Sequence, residues 1–183
     1  MNVIETDLPG VLIIEPKVFG DDRGFFMETW NTELDAEGGI PTEFVEDNLS
    51  FSSRGVLRGL RFQDPNPQEK IVSVLQGEVY DVVVDIRYRS PTFGKWTGVT
   101  LSSENKRQLY IPEGFAHGFC VTHKSALFSY KCTQQYYPKA ERVLTWNDST
   151  VSVDWPVTVP LLSGKDQKGL SLEDIHIQFT KER

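Results

Sequence analysis

Glycine and proline punctuate this chain at short, even intervals, and that spacing constrains its fold more than any other feature. The breaks fall at Pro9-Gly10, Gly38-Gly39, Pro65 with Pro67, Pro91 with Gly94, and Pro112 with Gly114. Between them lie short runs rich in Val, Ile, Phe, Tyr and Trp, which suit strands rather than helices. Residues 11–19, 25–30, 44–51, 56–62, 70–75, 78–87, 96–101, 108–111, 118–122 and 126–137 are read as strands. Asp21-Asp22-Arg23-Gly24 and Gln76-Gly77 are read as turns, and 31–39 as a short helical turn. The tail after Asp154-Trp155-Pro156 is turn-rich. Short helices are expected near Ser163 and after Ser171, a cap ahead of Glu173 and Asp174. About ten strands with almost no helix predict an all-β, double-sheet jelly roll of the cupin type. A length of 183 residues fits one domain, 1–183, with a substantial core.

One strand does not read like the others. In Gly55–Lys70, GVLRGLRFQDPNPQEK, the polar residues Arg58, Arg61, Gln63 and Lys70 stand among apolar ones. A two-residue period aims Arg58 and Leu60 one way and Leu57, Arg61 and Gln63 the other, unless Gly59 inserts a bulge. So many polar side chains on a core-like strand point to one wall of a polar pocket. In 78–87 the polar Asp81, Asp85 and Arg87 alternate with Tyr80, Val82, Val84 and Ile86, which suits a face in solvent or lining a cavity.

The formal net charge is −7, which disfavours a generic nucleic-acid partner. A local cluster of cations still suits an anionic small molecule. The two cysteines, Cys120 and Cys132, lie in apolar strand-like runs and are read as free buried thiols in a reducing compartment. The N-terminal stretch MNVIETDLPG lacks a signal-like apolar run, and no segment is long and apolar enough to span a membrane. A cytoplasmic protein without a membrane partner is the expectation.

The three histidines, His117, His123 and His176, do not form the close His-x-His pair of a metal cupin, so no metal is expected. His123 and His176 read as surface residues. His117 lies between glycines and aromatics, where a satisfied structural histidine and a functional one are both open readings. Tyr130 is inside a strand. It can donate a proton to a carbanion only if its hydroxyl faces the reacting carbon. Arg23, Arg58, Arg61, Lys70 and Lys165 come from separate segments. Together around one cavity they would suit a diphosphate or a sugar nucleotide. Phe26, Phe62, Tyr110 and Trp146 are candidate stacking surfaces, or core.

Six stretches together resemble the dTDP-4-dehydrorhamnose 3,5-epimerase family: PKVFGDDRGFF at 16–26, GVLRGL at 55–60, SPTFGKW at 90–96, SENKRQL at 103–109, IPEGFAHGF at 111–119 and WND at 146–148. The resemblance runs from about residue 3 to about residue 170. It implies a metal-free and cofactor-free cupin, a homodimer, and a nucleotide-linked 4-keto-6-deoxyhexose as substrate. The implied reaction is epimerisation at C3, C5 or both, by proton abstraction next to the C4 ketone. Carried over by the resemblance, Lys70 steadies the enolate, Tyr130 is the acid, and Asp166 stands behind the base at position 61. Arg23, Glu28, Asn48, Arg58, His117, Glu141 and Lys165 match positions that contact the sugar nucleotide, and Glu46 and Gln63 join them.

Two positions depart from the family. It reads Gly-Leu-His-Phe-Gln where this chain has Gly59-Leu60-Arg61-Phe62-Gln63, and glutamine is usual at Glu46. A guanidinium stays protonated, with a pKa above about 12, so Arg61 cannot accept a proton at neutral pH. It would instead pair with Asp166, or with Glu46. Three readings follow: an epimerase slowed by replacement of its base, a member using another base such as Glu46 or Asp166, or a protein that binds a sugar nucleotide without turnover. A plain structural sandwich without a ligand is the remoter rival.

Overall fold

The protein is described here by a computed structural model covering residues 1–40 and 43–175. Its strands are β1 (Asn2–Glu5), β2 (Leu12–Glu15), β3 (Val18–Asp21), β4 (Gly24–Met27), β5 (Glu46–Ser53), β6 (Leu57–Gln63), β7 (Lys70–Asp85), β8 (Trp96–Ser102), β9 (Gln108–Ile111), β10 (Phe115–Cys132) and β11 (Glu141–Val143). One helix, α1 (Thr32–Glu37), follows β4. Asn31 caps it: its side-chain oxygen accepts from the backbone N–H of Glu33 and Leu34. Among the described residues no helix is long and apolar enough to cross a membrane.

Nine strands form one antiparallel sheet in the order β1-β2-β9-β7-β10-β6-β11, with β5 also on β10 and β8 also on β7. Two long strands fold this sheet onto itself. The first part of β7 pairs with β9 and its later part with β8. The first part of β10 pairs with β6 and its later part with β5. The result is a two-layer jelly roll. One layer runs β1-β2-β9-β7-β10-β5 and the other β8-β7-β10-β6-β11, as the strand count predicts.

The sequence reading divided β7 and β10 into two strands each. The structure instead runs each one through, because Gly77 makes a corner rather than a turn. Its φ is +81°, and a Cβ there would lie 1.9 Å from the Ser125 carbonyl oxygen. The β7–β10 register shifts at the same place, between Val121 and Ala126. Residues 11–19 show the converse, splitting into β2 and β3 around Pro16. Strands β1 and β11 escaped notice because each is four residues or fewer. The tail holds a single 3-10 turn at Asp166–Lys168, and residues 172–175 are helical behind the Ser171 cap.

Three apolar clusters follow from strand alternation. Between the layers lie Val72, Val74, Val79, Val83, Leu101, Leu109, Phe119 and Phe128. The outer face of the β6 layer carries Leu57, Leu60, Val82, Val84 and Cys120, covered by Leu144, Val151, Trp155 and Leu172 from the tail. Ile14, Ile71 and Tyr110 on the other layer are covered by Ile40. Each such side chain contributes about 1.5–3 kcal/mol on burial. Both cysteines are free and buried, and burial pushes each thiol up to about 11.

Gly59 settles the orientation of the polar strand. On β10, His117 pairs with Arg61 and Phe119 with Arg58, so two steps on β10 match three on β6. That extra residue is the bulge, and it turns Arg58 and Arg61 to the same face while Leu57, Leu60 and Phe62 face the tail. Gly59 has φ +128°, and a Cβ on it would lie 2.5 Å from Gly118 Cα. Gly59→Ala is therefore expected to destabilise the fold by more than about 2 kcal/mol. Gly164→Ala, at a glycine with open space around it, should stay within about 0.5 kcal/mol of the parent. Denaturant unfolding of the two variants checks this.

Candidate active site

Two polar rows face each other between the layers. In the β5 layer, Lys70 pairs with Cys132 and Cys132 with Glu46, while Tyr130 pairs with Asn48. In the β6 layer, His117 pairs with Arg61, and Gln63 with Glu141. Directly paired residues on antiparallel strands point to the same face, so these side chains converge on the interior.

Arg61 lies at the centre of an ion-pair network. Its Nε and Nη2 donate to the two carboxylate oxygens of Asp166 at 2.9 and 3.0 Å, and Nη1 donates to Glu141 at 3.3 Å. Asp166 is fully buried and also accepts from the Ser163 hydroxyl at 2.7 Å. The tail delivers it: Leu161 and Leu170 bridge to Val56 and Leu144, so the 3-10 turn sits against β6. Burial works against the Arg61 charge, but Asp166 and then Glu141 outweigh it and hold the guanidinium above its ordinary pKa. Glu141 also accepts from Lys165 and, at 3.1 Å, from the Tyr136 hydroxyl.

The sequence offered Glu46 as another partner for Arg61. The structure gives Glu46 to Asn48 Nδ2 at 2.7 Å and to the Tyr136 backbone N–H at 2.9 Å.

Lys70 faces the interior and is partly buried, and its ammonium has no hydrogen-bond or ion-pair partner among the described residues. Burial pushes its pKa down, and Arg61 adds to this against Cys132, Asp81 and Glu141. Tyr130 is pushed up, first by burial and then by Cys132 and Glu46, so its hydroxyl keeps its proton. Arg58 donates to the Ser52 hydroxyl at 3.0 Å. Gln63 is buried and its amide is taken by backbone: it donates to Asn66 and Gln135 and accepts from Tyr137. That fixes the 133–137 loop.

His117 is buried, with Nε2 3.0 Å from both carboxylate oxygens of Asp81, which is itself fully buried. Asp81 was read only as part of a half-polar face, and its partner was not legible. The signal was a lone carboxylate inside the run Val79–Val84. Asp85, the next polar residue on that face, is structural. It accepts from Arg87, Ser90 and Thr92 and pins the following turn.

A cavity of ≈ 870 Å³ reaches Lys70 and His117. Gln63, Arg87 and Phe115 line it too, and exposed Tyr88, Arg89 and Glu113 lie at its rim. Arg61, Tyr130 and Asp166 lie outside its lining. Among the described residues no group of three His, Cys, Asp or Glu could hold a metal.

Arg23 and Glu28 are not brought in. Arg23 is 90% exposed and, among the described residues, pairs with Asp21 alone, on the separate β3–β4 hairpin. Glu28 is exposed and accepts from Asn31. Of the candidate stacking rings, Phe62, Tyr110 and Trp146 belong to core clusters, and Phe26 alone is exposed. His123 is exposed, on β10 rather than in a loop, and His176 lies outside the described residues.

The Arg61–Asp166 pair should couple energetically. In a cycle of Arg61→Met, Asp166→Asn and the double variant, a coupling of about 1–3 kcal/mol is expected from denaturant unfolding. The lower half of that range is favoured, because the Arg61 side chain is 31% exposed.

Comparison with known proteins gives a consistent picture. A family model described as dTDP-4-dehydrorhamnose 3,5-epimerase matches residues 5–174. A Shigella flexneri protein of that name is 57% identical over 176 residues, covering 95% of this chain and 97% of that protein. A Legionella pneumophila dTDP-6-deoxy-D-glucose-3,5-epimerase, solved with dTDP-4-keto-L-rhamnose, superposes with a TM-score of 0.91 at 50% identity, covering 94% and 93% of the two chains. A Bacillus anthracis dTDP-4-dehydrorhamnose 3,5-epimerase, solved with TDP and PPi bound, gives 0.91 at 44% identity, covering 93% and 98%.

Proposed function

Because this chain belongs to the dTDP-4-dehydrorhamnose 3,5-epimerase family, we propose that it acts on a dTDP-linked 4-keto-6-deoxyhexose, epimerising C3, C5 or both with a slowed proton-abstraction step. The observation that carries the reading is the pair of facing polar rows. Lys70 and Tyr130 come from one layer and residue 61, backed by Asp166, from the other. Lys70 suits the developing enolate oxygen, being an enclosed cation without a partner of its own. Tyr130, kept protonated, suits the return of a proton to carbon. Arg58, Lys165 and Arg61 supply cations for the diphosphate, and Asn48, Glu46, Gln63, Glu141 and His117 shape the sugar site.

The slowing rests on Arg61. Its guanidinium cannot take a proton, and Asp166 is committed to it through two hydrogen bonds. A second reading, binding without turnover, draws on the same ion pair. Exchange of the C3 and C5 hydrogens with deuterated water separates the two. Arg61→His is expected to exchange at least about 100-fold faster than the parent, the low end of what general base catalysis supplies. Equal rates would remove Arg61 as the cause. The parent should also gain roughly 2.7 kcal/mol of stability from dTDP at a hundred times its dissociation constant, whether or not it turns substrate over.

The chain is proposed to work as a homodimer. The hairpin exposes Val18, Phe19, Phe25 and Phe26, and the outer face of β5 exposes Leu49 and Phe51. Arg23 rides on that hairpin and Glu28 directly follows it, the segment being held beside β9 through Gln108 and Lys106. Strands β7 and β10 separate β9 from β5. A second copy offers these residues a site that their own chain does not. Light scattering should give about twice 20.8 kDa, and Phe26→Asp or Phe51→Asp should shift the mass toward one copy.

A further inference from the structure

Replacing a base by a guanidinium leaves a question of chemistry: which group near the substrate carbon can take a proton. The two carboxylates suggested by the sequence are both engaged. Asp166 holds Arg61 and Ser163, and Glu46 holds Asn48 and the Tyr136 N–H. Lys70 is the cation the enolate oxygen needs. Among the described residues a further proton acceptor of the right type lies in the interior. His117 is the direct cross-strand partner of Arg61, on the same face of the sheet. With Lys70 it lines the ≈ 870 Å³ cavity.

Its partner sets its state. Burial pushes Asp81 up, and His117 and then Lys70 pull it back toward the carboxylate; as a carboxylate it can only accept from the ring, which puts the proton on Nε2 and leaves the Nδ1 lone pair available. No described residue hydrogen-bonds Nδ1. Asp81 is buried and offsets the charge the ring would gain on taking a proton. Phe128 stacks on the ring at 6.2 Å and 23°, which limits its rotation.

We infer that His117, oriented by Asp81, is the proton acceptor of this chain's epimerisation, in the role that position 61 cannot fill. The inference rests on the epimerase reading above. In the step, the C–H bond next to the ketone breaks and an N–H bond forms at Nδ1. The electron pair becomes a carbon–carbon double bond, and the carbonyl π pair moves to O4 as an enolate beside Lys70. Tyr130 then gives its hydroxyl proton to the opposite face of the carbon while the enolate collapses to the ketone. The imidazolium proton leaves to water in the cavity and the tyrosinate regains one from solvent. Nothing is oxidised or reduced.

The test is C3 and C5 hydrogen exchange in deuterated water with a dTDP-linked 4-keto-6-deoxyhexose. The parent, His117→Ala and Arg61→His are compared, each checked for folding and for thermal protection by dTDP. The parent is expected to exchange slowly and His117→Ala to lose at least about 100-fold of that rate. Free imidazole should restore part of it by entering the neighbouring cavity, a rescue that a purely structural role would not show. If His117→Ala fails to fold, His117→Gln retains an N–H for Asp81 but has no basic nitrogen, and should show the same loss. Undiminished exchange in either folded variant overturns the inference, as does a loss in His117→Ala that imidazole leaves untouched. If the parent is silent while Arg61→His exchanges, His117 is not the acceptor but the epimerase reading stands. If neither exchanges although both bind dTDP, that reading falls as well.

Discussion

The pairing of β7 with β10 is the constraint from which both the fold and the site follow. Sixteen residues of one strand run against eighteen of the other, and both cross from the first layer to the second. The ladder, interrupted only by register shifts near Gly77, satisfies much of the backbone through the middle of the molecule, where unpaired groups would be most costly. It also sets the geometry of the interior. Lys70 and Tyr130 lie on the half that faces β5 and β9, and His117 and Asp81 on the half that faces β6 and β8. Folding the ladder at Gly77 brings those halves face to face, so Lys70 and His117, far apart along the ladder, line one cavity.

Most of this architecture was legible because strand signals are local. Turn residues and two-residue alternation are written into adjacent positions, so the all-β, double-layer outcome could be read directly. What was misread depended on distant partners. Gln76-Gly77 has the composition of a hairpin turn, yet the chain passes straight on because β10 bends with it at Ser125. The same limit governed the polar strand. The residues around Gly59 allowed two orientations, and only the facing Gly118 decides that Arg58 and Arg61 share a side.

The site was legible to a different depth. Residue types at the family's positions gave Lys70, Tyr130, Asp166 and the unusual Arg61, and the expected Arg61–Asp166 ion pair is present with both hydrogen bonds formed. Asp81 went unrecognised because a carboxylate on an alternating strand looks the same whether it meets solvent or a buried histidine. Arg23 and Glu28 carry over by motif but stay exposed, one on the β3–β4 hairpin and one just after it, a feature that composition cannot foretell.

On the proposed reading, Arg61 changes the field between the layers as well as the proton chemistry of the site. A histidine can be neutral, whereas this guanidinium adds a fixed charge among Arg58, Lys70 and Lys165. Asp166 and Glu141 answer it on one side. On the other side its effect reaches Lys70, which burial already pushes toward the neutral form. An ammonium easier to deprotonate is a weaker permanent cation for an enolate, but the arginine itself can share that stabilisation. On the proposed reading the position offers no proton acceptor while the interior keeps its positive character. On that same reading, the combination would retain an anionic nucleotide sugar even where carbon acid chemistry is slow. It would place the demand for a base on a neighbour, and the one proposed is the Asp81–His117 pair directly across the strand.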